Sequence, residues 1–243
     1  DGFDQVAFGN LNEMKAAITR ETAGIVIEPI QGEGGIRPLD DDYLRGLRAI
    51  CDEYGLLLQF DEVQTGIGRT GKLYAYQWSG VAPDILSSAK GLGGGFPVGA
   101  TMATEQVAAT MIAGSHGSTF GGNPLAMACA NAVLDVVLGD GFLENVNTMS
   151  KRLRKGLDDL VTKYPNHLAR VRGKGLLLGL QFKGDGSEAG AMVVKANALG
   201  LLSVPAGDNV MRMIPPLVIE SAHVDEALGI LDQALAETAA EAG

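Results

Sequence analysis

Apolar residues along this chain recur in two distinct rhythms. Leu44, Leu47, Ile50, Cys51 and Tyr54 return every three or four positions, the period of one helix face. Asp40-Asp41-Asp42 just ahead place negative charge in the first turn, where the helix dipole favours it, and Gly55 offers a stop. Leu56-Leu57-Leu58-Gln59-Phe60 is a short unbroken apolar run, the pattern of a strand buried on both faces of a parallel sheet. Gly24–Glu28 reads the same way, Leu11–Ile18 reads as a short helix, and Ile85–Ser88 and Val98–Ala103 are further strands. This strand–helix–strand alternation predicts a mostly parallel sheet with helices on its faces.

Past residue 120 the rhythm is dominated by helices. Pro124 suits the first position of a long Ala-rich helix reaching Leu138, and Gly139-Asp140-Gly141 breaks it. A second helix runs from Phe142 to Lys163 with Leu143, Val146, Met149, Leu153, Leu157 and Leu160 as its stripe. Strands are expected at Leu176–Phe182, Leu201–Val204 and Val210–Ile214, and helices at Glu188–Leu199 and Val224–Thr238. The polar stretch Lys183–Glu188 reads as a surface loop. The domain boundary is placed near Gly139, giving 1–138 and 139–243.

The 243 residues are enough for one large or two modest domains, and 46% hydrophobic content suits a packed interior. A net charge of −10 argues against nucleic acid or an anionic membrane as partner. Cys51 and Cys129 form no C-x-x-C pair and read as reduced core residues of a cytoplasmic protein. His116, His167 and His223 have no metal-ligand spacing, and no metal site is expected.

Candidate chemistry centres on Ser87-Ser88-Ala89-Lys90-Gly91-Leu92-Gly93-Gly94-Gly95-Phe96-Pro97. Small neighbours and a glycine run leave room beside the Lys90 amine, so it reads either as a Schiff-base lysine or as a cation on a flexible surface loop. The glycine spacing fits neither nucleotide phosphate loop. Asp61 tilts the balance. It ends a buried strand, where open α/β sheets place their ligands. A strand-end carboxylate with a lysine on a later element is what pyridoxal 5'-phosphate needs: an amine for its aldehyde and an anion for its ring nitrogen.

Four stretches occur in order: Glu28-Pro29-Ile30-Gln31-Gly32-Glu33-Gly34-Gly35, Asp61-Glu62-Val63-Gln64-Thr65-Gly66, Ala89-Lys90-Gly91-Leu92-Gly93-Gly94-Gly95, and His116-Gly117-Ser118-Thr119-Phe120-Gly121-Gly122-Asn123-Pro124. Together they resemble the class III aminotransferases of the ornithine and acetylornithine type, and the likeness continues to Arg212-Met213-Ile214-Pro215-Pro216-Leu217. Gly71-Lys72-Leu73-Tyr74-Ala75-Tyr76 and Gly95–Ala100 point to the acetylornithine branch.

The resemblance implies fold type I of the pyridoxal-phosphate enzymes. Residues 1–138 would be the later part of the large cofactor-binding domain, whose first part precedes Asp1 in family order, and 139–243 a small α+β domain. It implies ping-pong transfer of an amino group from N-acetylornithine to 2-oxoglutarate, in arginine biosynthesis, by a homodimer with shared active sites. The alternatives are ornithine, succinylornithine or 4-aminobutyrate as donor, or a non-catalytic chain that keeps the fold.

Carried over residue by residue, Lys90 holds the cofactor and moves the proton, and Asp61 pairs with the pyridinium nitrogen. Val63 packs on a ring face, Gln64 bonds near the ring hydroxyl, and Glu62 belongs to the same cofactor-binding run. Thr119 reaches the phosphate of the neighbouring subunit's cofactor, and Ser118 and Arg212 contact substrate. Glu33 covers Arg212 when no carboxylate is bound. A second phosphate turn, a ring-stacking aromatic and a second substrate arginine fall before Asp1 in family order.

Overall fold

The computed structural model describes residues 2–241. In chain order the first elements are α1 (Leu11–Ala17), β1 (Gly24–Ile27), the short strands β2 (Ile30–Gln31) and β3 (Arg37–Pro38), α2 (Asp41–Tyr54) and β4 (Leu57–Asp61). Next come α3 (Tyr76–Ser79), β5 (Ile85–Ser88), β6 (Ala100–Ala103), α4 (Glu105–Ala108) and α5 (Pro124–Val137). The remainder is α6 (Phe142–Lys163), β7 (Leu168–Lys174), β8 (Leu177–Phe182), α7 (Glu188–Ala198), β9 (Val204–Ala206), β10 (Val210–Met213) and α8 (Ser221–Glu241).

These elements form two compact units. The first takes Asp1–Pro29, Leu39–Ile67 and Lys72–Val137; the second takes Ile30–Pro38, Gly68–Gly71 and Leu138–Gly243. The division is therefore not one cut. Two early segments fold with the later half of the chain.

The sheet of the first unit runs β1-β4-β5-β6, with β1, β4 and β5 parallel and β6 antiparallel to β5. This is the expected mostly parallel α/β sheet, with one reversed edge. The α2 stripe buries Leu44, Leu47, Ile50 and Cys51 against Leu58 and Phe60 of β4. Gly55 ends the helix at φ +69, the left-handed conformation that costs a glycine least. Asp84 pins the register of β4 on β5: its carboxylate accepts the Leu58 N–H at 2.7 Å and an Arg48 guanidinium bond at 2.8 Å. Burial pushes the Asp84 carboxyl up, but those two donors outweigh it and hold it below the usual range.

The second unit is an antiparallel sheet ordered β7-β8-β10-β9, with Leu157, Leu178, Leu180, Met211, Leu231 and Leu235 fully buried in its core. The β2–β3 ribbon adds Ile30 and Ile36, which pack on Leu177 and Val210. Strand β7 has no counterpart among the sequence expectations, because Arg170, Arg172 and Lys174 hide its alternation. Strand β9 begins where the expected Leu201–Val204 strand ends. No single helix among the described residues is long and apolar enough to cross a membrane.

Candidate functional site

In the first unit, β4 and β5 end side by side, Asp61 level with Ser87 in the parallel register. Asp61 is half-buried, and its Oδ1 accepts the Val63 N–H at 2.9 Å, closing the turn that leaves the strand. Three residues beyond Ser87, Lys90 opens a 3-10 turn over Lys90–Gly93. Its φ is +48, in the left-handed region, which costs a side-chain-bearing residue on the order of 1–3 kcal/mol and tends to be kept where function needs it. Backbone bonds from Leu92 to Ala89, Gly94 to Gly91 and Phe96 to Gly93 lock the turn. Lys90 is exposed rather than tucked among its small neighbours, and among the described residues its ammonium has no hydrogen bond or ion pair.

Glu62, next to Asp61, is buried completely. Its carboxylate accepts bonds from the Thr65 hydroxyl and the Ala75 and Tyr76 N–H groups, each at 2.7 Å. Burial pushes this carboxyl up, and the three donors oppose that shift. Glu62 thus ties the loop after β4 to the start of α3, and both its oxygens are engaged there. Val63 and Gln64 are half-buried in the turn between. Ser118 and Thr119 lie in an exposed segment without regular structure. The Ser118 hydroxyl accepts the Gly121 N–H at 2.8 Å, and no hydrogen bond brings either residue to Asp61 or Lys90.

The second unit holds the other pair. Arg212 lies in β10, opposite Gly179 of β8 and Val204 of β9, and its guanidinium forms an ion pair with Glu33. The partners differ sharply in exposure, 11% for the Arg212 side chain and 74% for Glu33. A nearly buried guanidinium here holds a charge-assisted bond to a carboxylate that faces solvent. The Glu33 backbone is held from both sides. Its carbonyl accepts the Gly207 N–H at 2.8 Å, and Arg172 bridges the Gly35 carbonyl to Asp208. Gly35, at φ +104, admits no side chain: a Cβ there would sit 2.6 Å from the Gly207 oxygen. Among the described residues the buried Arg212 Nε has no hydrogen-bond acceptor, and Arg212 is one of the residues lining an apolar cavity of about 520 Å³.

The donor set fits a pyridoxal cofactor. An unpartnered primary amine suits its aldehyde, and a carboxylate at the next strand end suits its ring nitrogen. Two structural arginines, Arg69 and Arg172, escaped the sequence reading. Their partners are mostly backbone carbonyls, which leave no trace in residue identity.

Comparison with known proteins identifies the family. The family model for aminotransferase class III matches residues 3–235. An acetylornithine aminotransferase of Agrobacterium fabrum is 54% identical over 241 residues, covering 99% of this chain and 60% of the relative. The N-acetylornithine aminotransferase structure from Stenotrophomonas maltophilia superposes with a TM-score of 0.88 at 38% identity, covering 97% of this chain and 62% of that one. An ornithine aminotransferase from Toxoplasma gondii, described with partial occupancy of PLP at its active site, gives 0.92 at 34% identity, covering 99% and 57%. The chain spans about three fifths of the length of the curated relatives it matches.

Proposed function

We propose, from the premise that the chain belongs to the class III aminotransferases, that it transfers the amino group of N-acetylornithine to 2-oxoglutarate with pyridoxal 5'-phosphate, in arginine biosynthesis. The carrying observation is Lys90, at positive φ and with no partner for its amine among the described residues, close after the strand that ends level with Asp61. The curated relatives named as acetylornithine aminotransferases support the choice of donor.

When bound, the cofactor withdraws electrons from the amine-bearing carbon and makes its C–H bond acidic. Lys90 would hold the cofactor's aldehyde, and its free amine would take that proton and return it, a task worth roughly 10²–10⁴-fold. Asp61 keeps the ring nitrogen protonated. Val63 packs a ring face and Gln64 bonds near the ring hydroxyl, in a turn that Glu62 holds still. Arg212 takes a substrate carboxylate, and the exposed Glu33 swings aside to admit it. That exchange lets one site serve glutamate and a donor whose reacting end carries no carboxylate.

Thr119 and Ser118 complete the site across a cytoplasmic homodimer, Thr119 toward the phosphate and Ser118 toward substrate. Their segment exposes Met111, Ile112, Phe120 and Leu125, apolar side chains that a subunit interface would cover.

Borohydride reduction of the cofactor-loaded enzyme, followed by peptide mapping, should place the cofactor mass on Lys90. A donor panel should rank N-acetylornithine above ornithine and 4-aminobutyrate. Label on another lysine would overturn the site, and a preference for ornithine would overturn the donor.

A further inference from the structure

Residues Ile214-Pro215-Pro216 carry the chain away from the end of β10 at Met213, starting two residues past Arg212. Two prolines in succession supply no N–H groups, so their own backbone can anchor this exit only through carbonyls. Arg69 provides a donor. Its Nη1 donates to the Pro215 carbonyl at 2.6 Å and to the Leu176 carbonyl at 3.1 Å, while the Leu176 N–H returns a bond to the Arg69 carbonyl at 3.0 Å.

The seat of this clamp is close-fitting. Gly175 has φ +63, and a Cβ there would lie 2.4 Å from the Thr70 Cα, so the β7–β8 turn rests directly on the Arg69–Thr70 backbone. The Ser150 hydroxyl holds the Gly175 carbonyl at 2.7 Å from the other side. Among the described residues no carboxylate pairs with Arg69. Burial alone pulls its pKa down to about 10, leaving it a cation stabilised by carbonyl dipoles. A charged donor to neutral carbonyls is expensive to bury, and a role beyond loop closure would account for keeping it.

We infer that Arg69 is a positioning residue for the carboxylate site: by tying the Pro215 carbonyl to the β7–β8 turn, it fixes the end of β10 and so the aim of the Arg212 guanidinium. The inference rests on the reading of Arg212 as the carboxylate-binding side chain. Lysine cannot replace the clamp in full: both bonds leave the one Nη1, and an ammonium on a shorter, flexible stem is not held by a rigid guanidinium plane at the angles the two carbonyls need.

The test uses the full-length, cofactor-loaded enzyme and glutarate, a dicarboxylate lacking the reactive oxo group, with binding followed by calorimetry. Arg69→Met should weaken glutarate about tenfold, the worth of a hydrogen bond made by a charged group. Arg69→Lys should lose less, and KM for 2-oxoglutarate should rise while kcat changes little. Arg212→Lys should weaken glutarate at least as much, and adding Arg69→Met to it should cost little more, because both act on one guanidinium. A folded Arg69→Met enzyme with a lowered melting temperature but wild-type glutarate affinity would overturn the proposal, as would fully multiplicative losses in the double variant. If Arg69→Met fails to fold, wild-type affinity in Arg69→Lys overturns it equally. Unchanged glutarate binding in Arg212→Lys would show instead that the carboxylate site itself lies elsewhere, and the inference would fall with that reading.

Discussion

Asp61 and Glu62 are adjacent carboxylates with separate tasks, set by burial. Glu62 has three donors on its oxygens and none of its surface in water; Asp61 closes one turn with Oδ1, and its Oδ2 has no hydrogen bond among the described residues. Their variants should therefore fail differently. Asp61→Ala should leave the melting temperature nearly unchanged yet lower turnover about 10²–10³-fold, the usual effect of deleting one electrostatic partner of a reacting group. Glu62→Gln turns an NH₂ group toward buried donors and should cost about 1–3 kcal/mol of stability, seen as a lower melting temperature. Equal melting shifts in the two variants would refute this division. Lys90 and Asp61 stand out in the sequence as candidates through a glycine run and a strand end, and Glu33 and Arg212 through the family resemblance of their motifs. The anchoring work of Glu62 and the clamp of Arg69 do not. Each depends on backbone groups brought near by folding, 13 residues away for Glu62 with Ala75 and 146 away for Arg69 with Pro215.

At the scale of elements, periodicity located the helices well: α6 has the expected bounds, and α5 ends one residue early, at Val137. It failed for β7 and for the two-residue strands β2 and β3, where tertiary contacts rather than an apolar stripe define the strand. Turns carry as much of the construction as strands do. Gly55 and Gly175 both sit at positive φ, but only Gly175 has backbone within reach of a Cβ. Gly55→Ala should therefore cost about 1 kcal/mol, the conformational penalty alone. Gly175→Ala must also push the β7–β8 turn off Thr70 and should cost several times more, which urea titration of the two variants will compare. Equal losses would mean that the turn yields freely.

Across the whole molecule, two cores are joined by a chain that enters and leaves the second unit more than once. The proposed homodimer belongs to this scale. Phe120 is 81% exposed and lies next to Thr119. In the full-length enzyme, Phe120→Glu should shift sedimentation from dimer toward monomer and lower activity in parallel, whereas an unaltered dimer would place the interface elsewhere. The interleaved path also bears on how the protein is made. Ile36 is wholly buried against Leu177 and Val210, residues translated long after it. At the roughly 5–20 residues per second of synthesis, the ribbon around Ile36 leaves the ribosome on the order of ten seconds or more before its cover exists. During that interval the apolar side chains of the ribbon have no cover from the strands they finally pack on. Nascent chains stalled before residue 177 should consequently be richer chaperone clients than chains stalled after β10.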